Sequence, residues 1–142
     1  MIKVAICDDD IQFIYKLEQS IFRFAEMKRI KVDVDGYTSG AEFIQKLQQS
    51  ERYDLLFLDI ELGDSSGIIV GNWIRSQIQY ESMQIVFVSA KEMYAMQLFD
   101  LRPMNFLVKP IQQERVDYIL DEYERLYQFQ PHIIEIGKGR NA

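Results

Sequence analysis

The sequence predicts an α/β domain in which helices cover both faces of a parallel sheet. Short apolar segments alternate five times with segments whose apolar residues recur at helical spacing, which is typical of repeated βα units. Residues 55–58 are apolar without interruption, the pattern of a strand buried on both faces. This run ends at Asp59, and open α/β sheets place their chemistry at the carboxyl ends of strands.

Length and composition indicate one folded domain. The chain has 142 residues, of which 48% are hydrophobic, enough to bury a core. No apolar run approaches a membrane span and the N-terminus is not a signal peptide, so no membrane partner is expected. The single cysteine, Cys7, excludes an internal disulfide and favours a reducing cytoplasm. The net charge of −6 argues against a nucleic-acid surface, and the lone His132 against a multi-histidine metal site.

The N-terminal part of the chain supplies the first two predicted strands and helices. Residues 2–7 are rich in Val and Ile and predict a strand. Apolar residues at helical spacing over 11–27 predict a helix, for which Asp10 is a suitable N-cap. Residues 32–37 alternate apolar with polar side chains, as expected for a strand at the sheet edge. Ser39 opens a capping-box sequence and predicts a short second helix.

The alternation continues from the central strand to a fifth helix. After Gly67, apolar residues at helical spacing predict the third helix, and the apolar segment 84–88 predicts a strand that ends at Ser89. The last predicted elements are a helix over 92–99, a strand over 105–108 that ends in Lys109-Pro110, and a helix over 112–129.

The C-terminal tail differs in character from the predicted domain, which spans 1–129. Residues 132–136 resemble a strand that follows a complete fold, and a basic, glycine-rich stretch comes next. We interpret 130–142 as a linker and the start of an output domain that this chain does not contain.

Polar and charged residues stand at the carboxyl ends of four predicted strands. Asp8 and Asp9 follow the first strand, Asp59 the third, Ser89 the fourth and Lys109 the fifth. All these ends face one rim of a parallel sheet, so the side chains can converge. Three carboxylates would repel one another without a cation, and oxygen ligands suit Mg²⁺. Asp59 could then attack phosphorus in line and form an acyl phosphate, with Lys109 and Ser89 stabilising the phosphoryl group.

This constellation resembles the receiver domain of two-component response regulators. The resemblance covers residues 2 to about 128 and rests on five separated positions that agree in residue type, order and strand-end location. It implies a doubly wound (βα)5 flavodoxin-like fold with strand order 2-1-3-4-5. It also implies that Asp59 is the phosphoacceptor and that Mg²⁺ is held by Asp9, Asp59 and the backbone carbonyl of Glu61, with Asp8 acting mainly through water.

The resemblance assigns roles to further positions. Ser89 takes the place of the family's Ser or Thr, and Lys109-Pro110 matches a pair whose peptide bond is usually cis. Phe106 falls on the switch aromatic, and because it lacks a hydroxyl we expect the switch to depend more on packing. A plain core residue is the alternative interpretation of Phe106.

The loop after Asp59 departs from the family pattern in one respect. Gly63 stands where many receivers have Pro, so we expect a more mobile loop. Gly67 matches the glycine that ends the loop. Glu61 and Lys91 are expected to control access of water to the acyl phosphate, and their opposite charges can form a salt bridge across the mouth of the site.

Three other functions fit the sequence less well. A haloacid-dehalogenase-type phosphatase would need a second Asp where this chain has Glu61, and room for a substrate cap. A flavodoxin-like binding module would present hydroxyls and amides to a phosphate after the first strand, where three aspartates would repel it. A degenerate receiver acting as a phosphorylation-independent dimerisation scaffold is disfavoured because every key position is occupied.

The resemblance also implies partners. These are a cognate sensor histidine kinase and, after phosphorylation, a second copy of the chain bound through the fourth and fifth helices and the fifth strand. The tail sequence HIIEIGKGRN resembles the linker and first strand of a LytTR-type DNA-binding domain. DNA binding and transcription regulation are therefore expected only through an output domain outside this chain.

Overall fold

The computed structural model describes residues 1–128, which form five strands, four α-helices and two 3₁₀ helices. The strands are β1 (Ile2–Cys7), β2 (Val32–Tyr37), β3 (Leu55–Asp59), β4 (Gln84–Ser89) and β5 (Asn105–Val108). The α-helices are α1 (Ile11–Lys28), α2 (Gly40–Gln48), α3 (Gly67–Arg75) and α4 (Gln113–Tyr127), and the 3₁₀ helices are Ile78–Tyr80 and Glu92–Leu101. The predicted linker at 130–142, with its predicted strand, lies outside the described residues.

The five strands form one parallel sheet in the order β2-β1-β3-β4-β5. This order confirms the predicted doubly wound fold. It places β2 at one edge, as its alternating polar residues predict, and β5 at the other edge. The uninterrupted apolar run of β3 is buried along its whole length because helices cover both faces of the sheet.

Two hydrophobic clusters lie on opposite faces of the sheet. On one face, side chains such as Ile6, Phe57 and Val86 pack against α1 and α4. On the other face, strand residues such as Leu56 and Phe87 pack against α2, α3 and the 3₁₀ helix Glu92–Leu101. Each strand contributes to both clusters because successive side chains point to opposite faces.

Cys7 belongs to the second cluster and is fully buried. Its Sγ lies 3.6 Å from the backbone oxygen of Ser39, and burial raises the pKa of the thiol far above its ordinary value. Cys7 is therefore a buried thiol.

Both predicted N-caps are present. Asp10 Oδ1 accepts hydrogen bonds from the backbone amides of Gln12 at 3.0 Å and Phe13 at 3.3 Å, and so caps α1. Ser39 Oγ accepts from the amide of Glu42 at 3.1 Å at the start of α2. Among residues 1–128, no helix is long and apolar enough to cross a membrane.

The fourth crossover differs from the α-helix predicted over 92–99. It is a 3₁₀ helix of 10 residues, Glu92–Leu101, whereas most 3₁₀ runs are shorter. Its buried side chains are Leu98 and Leu101, which are three residues apart and therefore eclipse in a 3₁₀ helix. An α-helix of 3.6 residues per turn is favoured where a wide apolar face must be buried, and two buried side chains do not form such a face.

Arg75, the last residue of α3, fixes the C-terminal end of this 3₁₀ helix. Its Nε donates to the backbone oxygen of Leu101 at 2.8 Å, and its Nη1 donates to that of Met83 at 2.8 Å. Nη2 donates to the backbone oxygen of Arg102 at 3.3 Å. One guanidinium thus joins α3, the segment before β4 and the end of the 3₁₀ helix.

Candidate functional site

The carboxyl ends of the strands bring the predicted site residues to one rim of the sheet. One carboxylate oxygen from each of Asp8, Asp9 and Asp59 lies within 4.8 Å of the other two. Asp8 and Asp59 are buried, whereas Asp9 is exposed. The backbone amide of Lys109 donates to the oxygen of Ser89 at 2.8 Å, which fixes the end of β5 beside the end of β4.

Lys109 directs its ammonium group into the acidic cluster. Its Nζ lies 2.8 Å from Asp8 Oδ2 and 3.8 Å from Asp59 Oδ2. The ring of Phe13, on α1, lies beneath the same ammonium, with its centroid 4.3 Å from Nζ. Burial alone would lower the pKa of Lys109, but the two carboxylates outweigh it and raise the pKa. Lys109 is therefore a fixed positive charge at this rim.

The environment of Asp59 disfavours the ionised form of its carboxyl group. Burial, followed by the negative charge of Asp8, raises the pKa of Asp59 to about 6. The ammonium of Lys109 and the amide of Glu61, which donates to Asp59 Oδ1 at 3.2 Å, oppose this rise only in part. A bound cation would relieve the remaining repulsion.

The two carboxylate oxygens of Asp8 have different partners. Asp8 Oδ1 accepts a hydrogen bond from the amide of Asp10 at 2.8 Å. Asp8 Oδ2 is buried and forms the 2.8 Å ion pair with Lys109 Nζ, and among the described residues no further group donates a hydrogen bond to it. A buried carboxylate oxygen in this state fits a site for a cation with its water.

Ser89 is fully buried at the end of β4, where its Oγ accepts a hydrogen bond from the amide of Lys91 at 3.0 Å. The predicted salt bridge between Lys91 and Glu61 is present, with Lys91 Nζ 3.1 Å from Glu61 Oε2. The contact with Glu61 raises the pKa of Lys91. The pair joins the segments that follow β3 and β4.

Phe106 lies on β5, close to this rim. It pairs with Phe87 in the sheet, two residues before Ser89 on β4. Its half-buried side chain packs against the cluster that includes the 3₁₀ helix Glu92–Leu101. The peptide bond between Lys109 and Pro110 is cis, as the resemblance implies.

Gly67 is required where the loop after β3 turns into α3. A Cβ at this position would lie 2.1 Å from the backbone oxygen of Asp59, so no other residue fits without moving the backbone. The amide of Gly67 donates to the oxygen of Ile60 at 2.7 Å, and Glu61 bridges to Ser66. These contacts close the base of the loop directly beside Asp59.

Sequence reasoning missed two residues at this site. Phe13 reaches Lys109 from the first turn of α1, and Asp64 binds the first amides of α2. The N-cap at Asp10 locates the first turn of α1 near the rim, and from this the position of Phe13 near the site could have been predicted. No local pattern connects Asp64 to α2, because the two segments meet only through the fold.

Residues 4–121 match the response regulator receiver domain family, and the chain therefore belongs to that family. It is the receiver domain of a two-component response regulator rather than a conventional enzyme. This membership argues against the phosphatase and the flavodoxin-like binding module.

The relatives of this chain include two sensory transduction proteins. The chain is 30% identical over 131 residues to sensory transduction protein LytT of Bacillus cereus, covering 92% of this chain and 50% of that protein. It is 30% identical over 126 residues to sensory transduction protein LytR of Streptococcus agalactiae, covering 89% and 49%. The chain thus spans about half the length of the curated relatives it matches.

Solved structures show the same fold. A two-component response regulator from Clostridium difficile superposes with a TM-score of 0.75 at 24% identity, covering 91% of this chain and all of that one. The response regulatory domain of protein mrkE from Klebsiella pneumoniae gives a TM-score of 0.75 at 24% identity, with coverage of 90% and 99%.

Proposed function

We propose that Asp59 accepts a phosphoryl group from a sensor histidine kinase in a Mg²⁺-dependent reaction, and that this modification switches the domain. The observation that carries the proposal is the position of Asp59, which is buried beside two further carboxylates and within 3.8 Å of the Lys109 ammonium. The ionised carboxylate can attack phosphorus there only if nearby positive charge offsets its repulsion from the other carboxylates and from the phosphoryl oxygens.

The acidic cluster suits one hard cation. Asp9, Asp59 and the backbone carbonyl of Glu61 would hold Mg²⁺, and Asp8, whose buried Oδ2 pairs with Lys109, would act mainly through water. The ion would neutralise charge on the phosphoryl oxygens.

The chain's own residues account for the transfer. An Asp59 carboxylate oxygen bonds to phosphorus as the bond from phosphorus to the donor group breaks, and the donor leaves with that electron pair. Lys109, already held between Asp8 and the ring of Phe13, pairs with the phosphoryl group. The Ser89 hydroxyl, whose oxygen accepts a hydrogen bond from the backbone amide of Lys91, donates a hydrogen bond to a phosphoryl oxygen.

The switch follows from the movement of Ser89. When its hydroxyl turns to the phosphoryl group, the segment that begins at Lys91 moves with it, because the amide of Lys91 is bonded to Ser89 Oγ. Phe106 packs into the space that this leaves. The salt bridge between Glu61 and Lys91 spans the mouth of the site and controls access of water to the acyl phosphate.

The surface that would read out the switch contains exposed apolar side chains. Met93, Met96 and Phe99 are 70%, 88% and 86% exposed and lie three residues apart, which aligns them along the 3₁₀ helix. Val108 of β5 and Tyr118 of α4 add to the exposed apolar area. We assign to this surface the homodimer formed on phosphorylation, since an exposed patch of this kind marks an interaction site.

We infer that the output of the switch comes from a second domain. The LytT and LytR relatives are about twice as long as this chain, and their names describe sensory transduction. We infer that the receiver controls a LytTR-type DNA-binding domain, whose linker and start are predicted in 130–142, and through it transcription.

Intact mass after incubation with acetyl phosphate and Mg²⁺ tests the phosphoacceptor. We expect a gain of one phosphoryl group, and we expect this gain to be absent in Asp59→Asn and in the presence of EDTA. A chain that gains no mass under these conditions would refute the proposal and leave the dimerisation scaffold as the function.

A further inference from the structure

Asp64 ties the loop after β3 to the start of α2. Its Oδ1 accepts a hydrogen bond from the amide of Gly40 at 3.1 Å, and its Oδ2 accepts from the amide of Ala41 at 3.1 Å. These are the first amides of α2 and have no partner within the helix. The third amide, that of Glu42, binds Ser39. Asp64 therefore caps α2 from a distant part of the chain.

The neighbouring residues of the loop lie against the acidic rim. A Cβ on Gly63 would lie 3.2 Å from Asp9 Oδ2, so the loop backbone passes close to that carboxylate. Leu62 is buried, and a Cβ on Gly40 would lie 3.3 Å from its Cδ1. The side chain of Leu62 and the two hydrogen bonds of Asp64 thus hold the middle of the loop against α2.

We propose that Asp64 is a positioning residue for the cation site. By fixing the loop to α2, it sets the places of the Glu61 carbonyl and of the backbone at Gly63 beside Asp9. Asp64 does not contact the ion, and its effect passes through the loop backbone. This inference rests on the proposed function, which places Mg²⁺ at that rim. Hydrogen bonds from amides to a carboxylate are strong, and a loop held in advance loses less entropy when the ion binds.

Mg²⁺ titration by calorimetry on the full chain, in three variants, tests the positioning role. Asp64→Ala removes both hydrogen bonds, and we expect the dissociation constant for Mg²⁺ to rise about tenfold, as for other residues that support metal ligands. Asp64→Asn keeps one acceptor oxygen for one amide, so we expect a rise of only about two- to threefold.

Ser39→Ala is the matched control, because it removes the other cap of α2 without touching the loop. It should lower the melting temperature while leaving the dissociation constant within about twofold of the wild-type value. If Asp64→Ala does not fold, Asp64→Ser serves in its place, since its shorter side chain does not reach the two amides.

The outcomes separate this inference from the proposed function. A wild-type chain that binds no Mg²⁺ would refute the metal site itself. A wild-type chain that binds Mg²⁺, together with an Asp64→Ala variant that binds it equally well, would refute the positioning role alone. Equal losses in Asp64→Asn and Asp64→Ala would assign the effect to charge, and an equal loss in Ser39→Ala would assign it to the stability of α2. Either result would overturn the inference.

Hydrogen exchange gives a second readout that does not involve the metal. In Mg²⁺-free protein, the amides of Gly40 and Ala41 should exchange faster in Asp64→Ala than in the wild type, whereas the amide of Glu42 should respond to Ser39→Ala. Unchanged exchange at Gly40 and Ala41 would show that Asp64 does not hold α2.

Discussion

The two faces of the sheet are covered in different ways. One face is covered by two long helices, α1 with 18 residues and α4 with 15, which contribute eight buried side chains. The other face is covered by α2 and α3, with 9 residues each, which bury four side chains apart from their glycines, and by a 3₁₀ helix of 10 residues that buries two. We infer that the 3₁₀ helix, which buries two side chains over 10 residues, is the covering element that can rearrange at low cost.

The rim is connected to both faces. Lys109 is held by Asp8 and by the ring of Phe13, which belongs to α1 on the first face. Ser89 leads through Lys91 directly into the 3₁₀ helix on the other side. The charged groups thus have a fixed support, while the group that would report phosphorylation is attached to a helix that buries two side chains over 10 residues.

Substitutions of one buried aliphatic residue on each face test this difference most directly. Ile119 on α4 and Leu98 in the 3₁₀ helix are both almost completely buried. We expect Ile119→Ala to lower the free energy of unfolding by about 3–4 kcal/mol and Leu98→Ala by about 2 kcal/mol, because the 3₁₀ helix can move to fill part of the cavity. Urea unfolding gives both values, and equal losses would contradict the comparison.

Asp59→Asn should stabilise the metal-free domain. The pKa of Asp59 is raised to about 6, so the folded state holds this proton more tightly than the unfolded chain does. The free energy of unfolding therefore falls as the pH rises from about 4 to about 6, by about 2–3 kcal/mol from this group. Above pH 7 the Asn variant should be more stable by about that amount, and near pH 3.5 the difference should disappear.

Urea unfolding in EDTA at the two pH values measures this gain. Asp100→Asn, which changes an exposed carboxylate on the 3₁₀ helix, is the control and should not show it. A stability difference between wild type and Asp59→Asn that is the same at both pH values would contradict the electrostatic explanation.

Arg75→Lys should loosen the 3₁₀ helix at its C-terminal end. A lysine cannot reproduce the guanidinium contacts with the backbone oxygens of Leu101, Met83 and Arg102, so we expect a loss of about 1–2 kcal/mol. Hydrogen exchange should become faster over 92–102 and stay unchanged in α4. Arg125→Lys, at an exposed position on α4, is the control. Faster exchange on both faces would indicate general destabilisation instead.

Phe99→Glu should have the smallest effect on stability, within about 0.5 kcal/mol, because the side chain is exposed. It should nevertheless prevent dimerisation of the chain treated with beryllofluoride and Mg²⁺, measured by light scattering. Ile78→Glu, at an 81% exposed position outside the 3₁₀ helix Glu92–Leu101, should leave the dimer intact. If the Phe99→Glu variant still dimerises, the dimer uses another surface.

The sequence was sufficient to predict the strands, the caps at Asp10 and Ser39, and the convergence at the rim. Those features depend on local pattern and on the rule that parallel strands end at one edge. The 3₁₀ geometry was not predictable, since the spacing of Leu98 and Leu101 suits both helix types. How much of this segment is buried depends on tertiary packing, which the local sequence does not show. The contacts of Phe13 with Lys109 and of Asp64 with Gly40 join segments far apart in sequence, and no local pattern records them.

The burial of Cys7 has a practical consequence. Its thiol is out of contact with solvent and its pKa is raised, so it is a poor target for alkylating reagents under native conditions. A cysteine introduced at an exposed position such as Met96 would therefore be selectively labelled without first removing the natural one. Fluorescent or spin probes, or a cross-linker between two copies, could then follow the 3₁₀ helix in an otherwise unaltered domain.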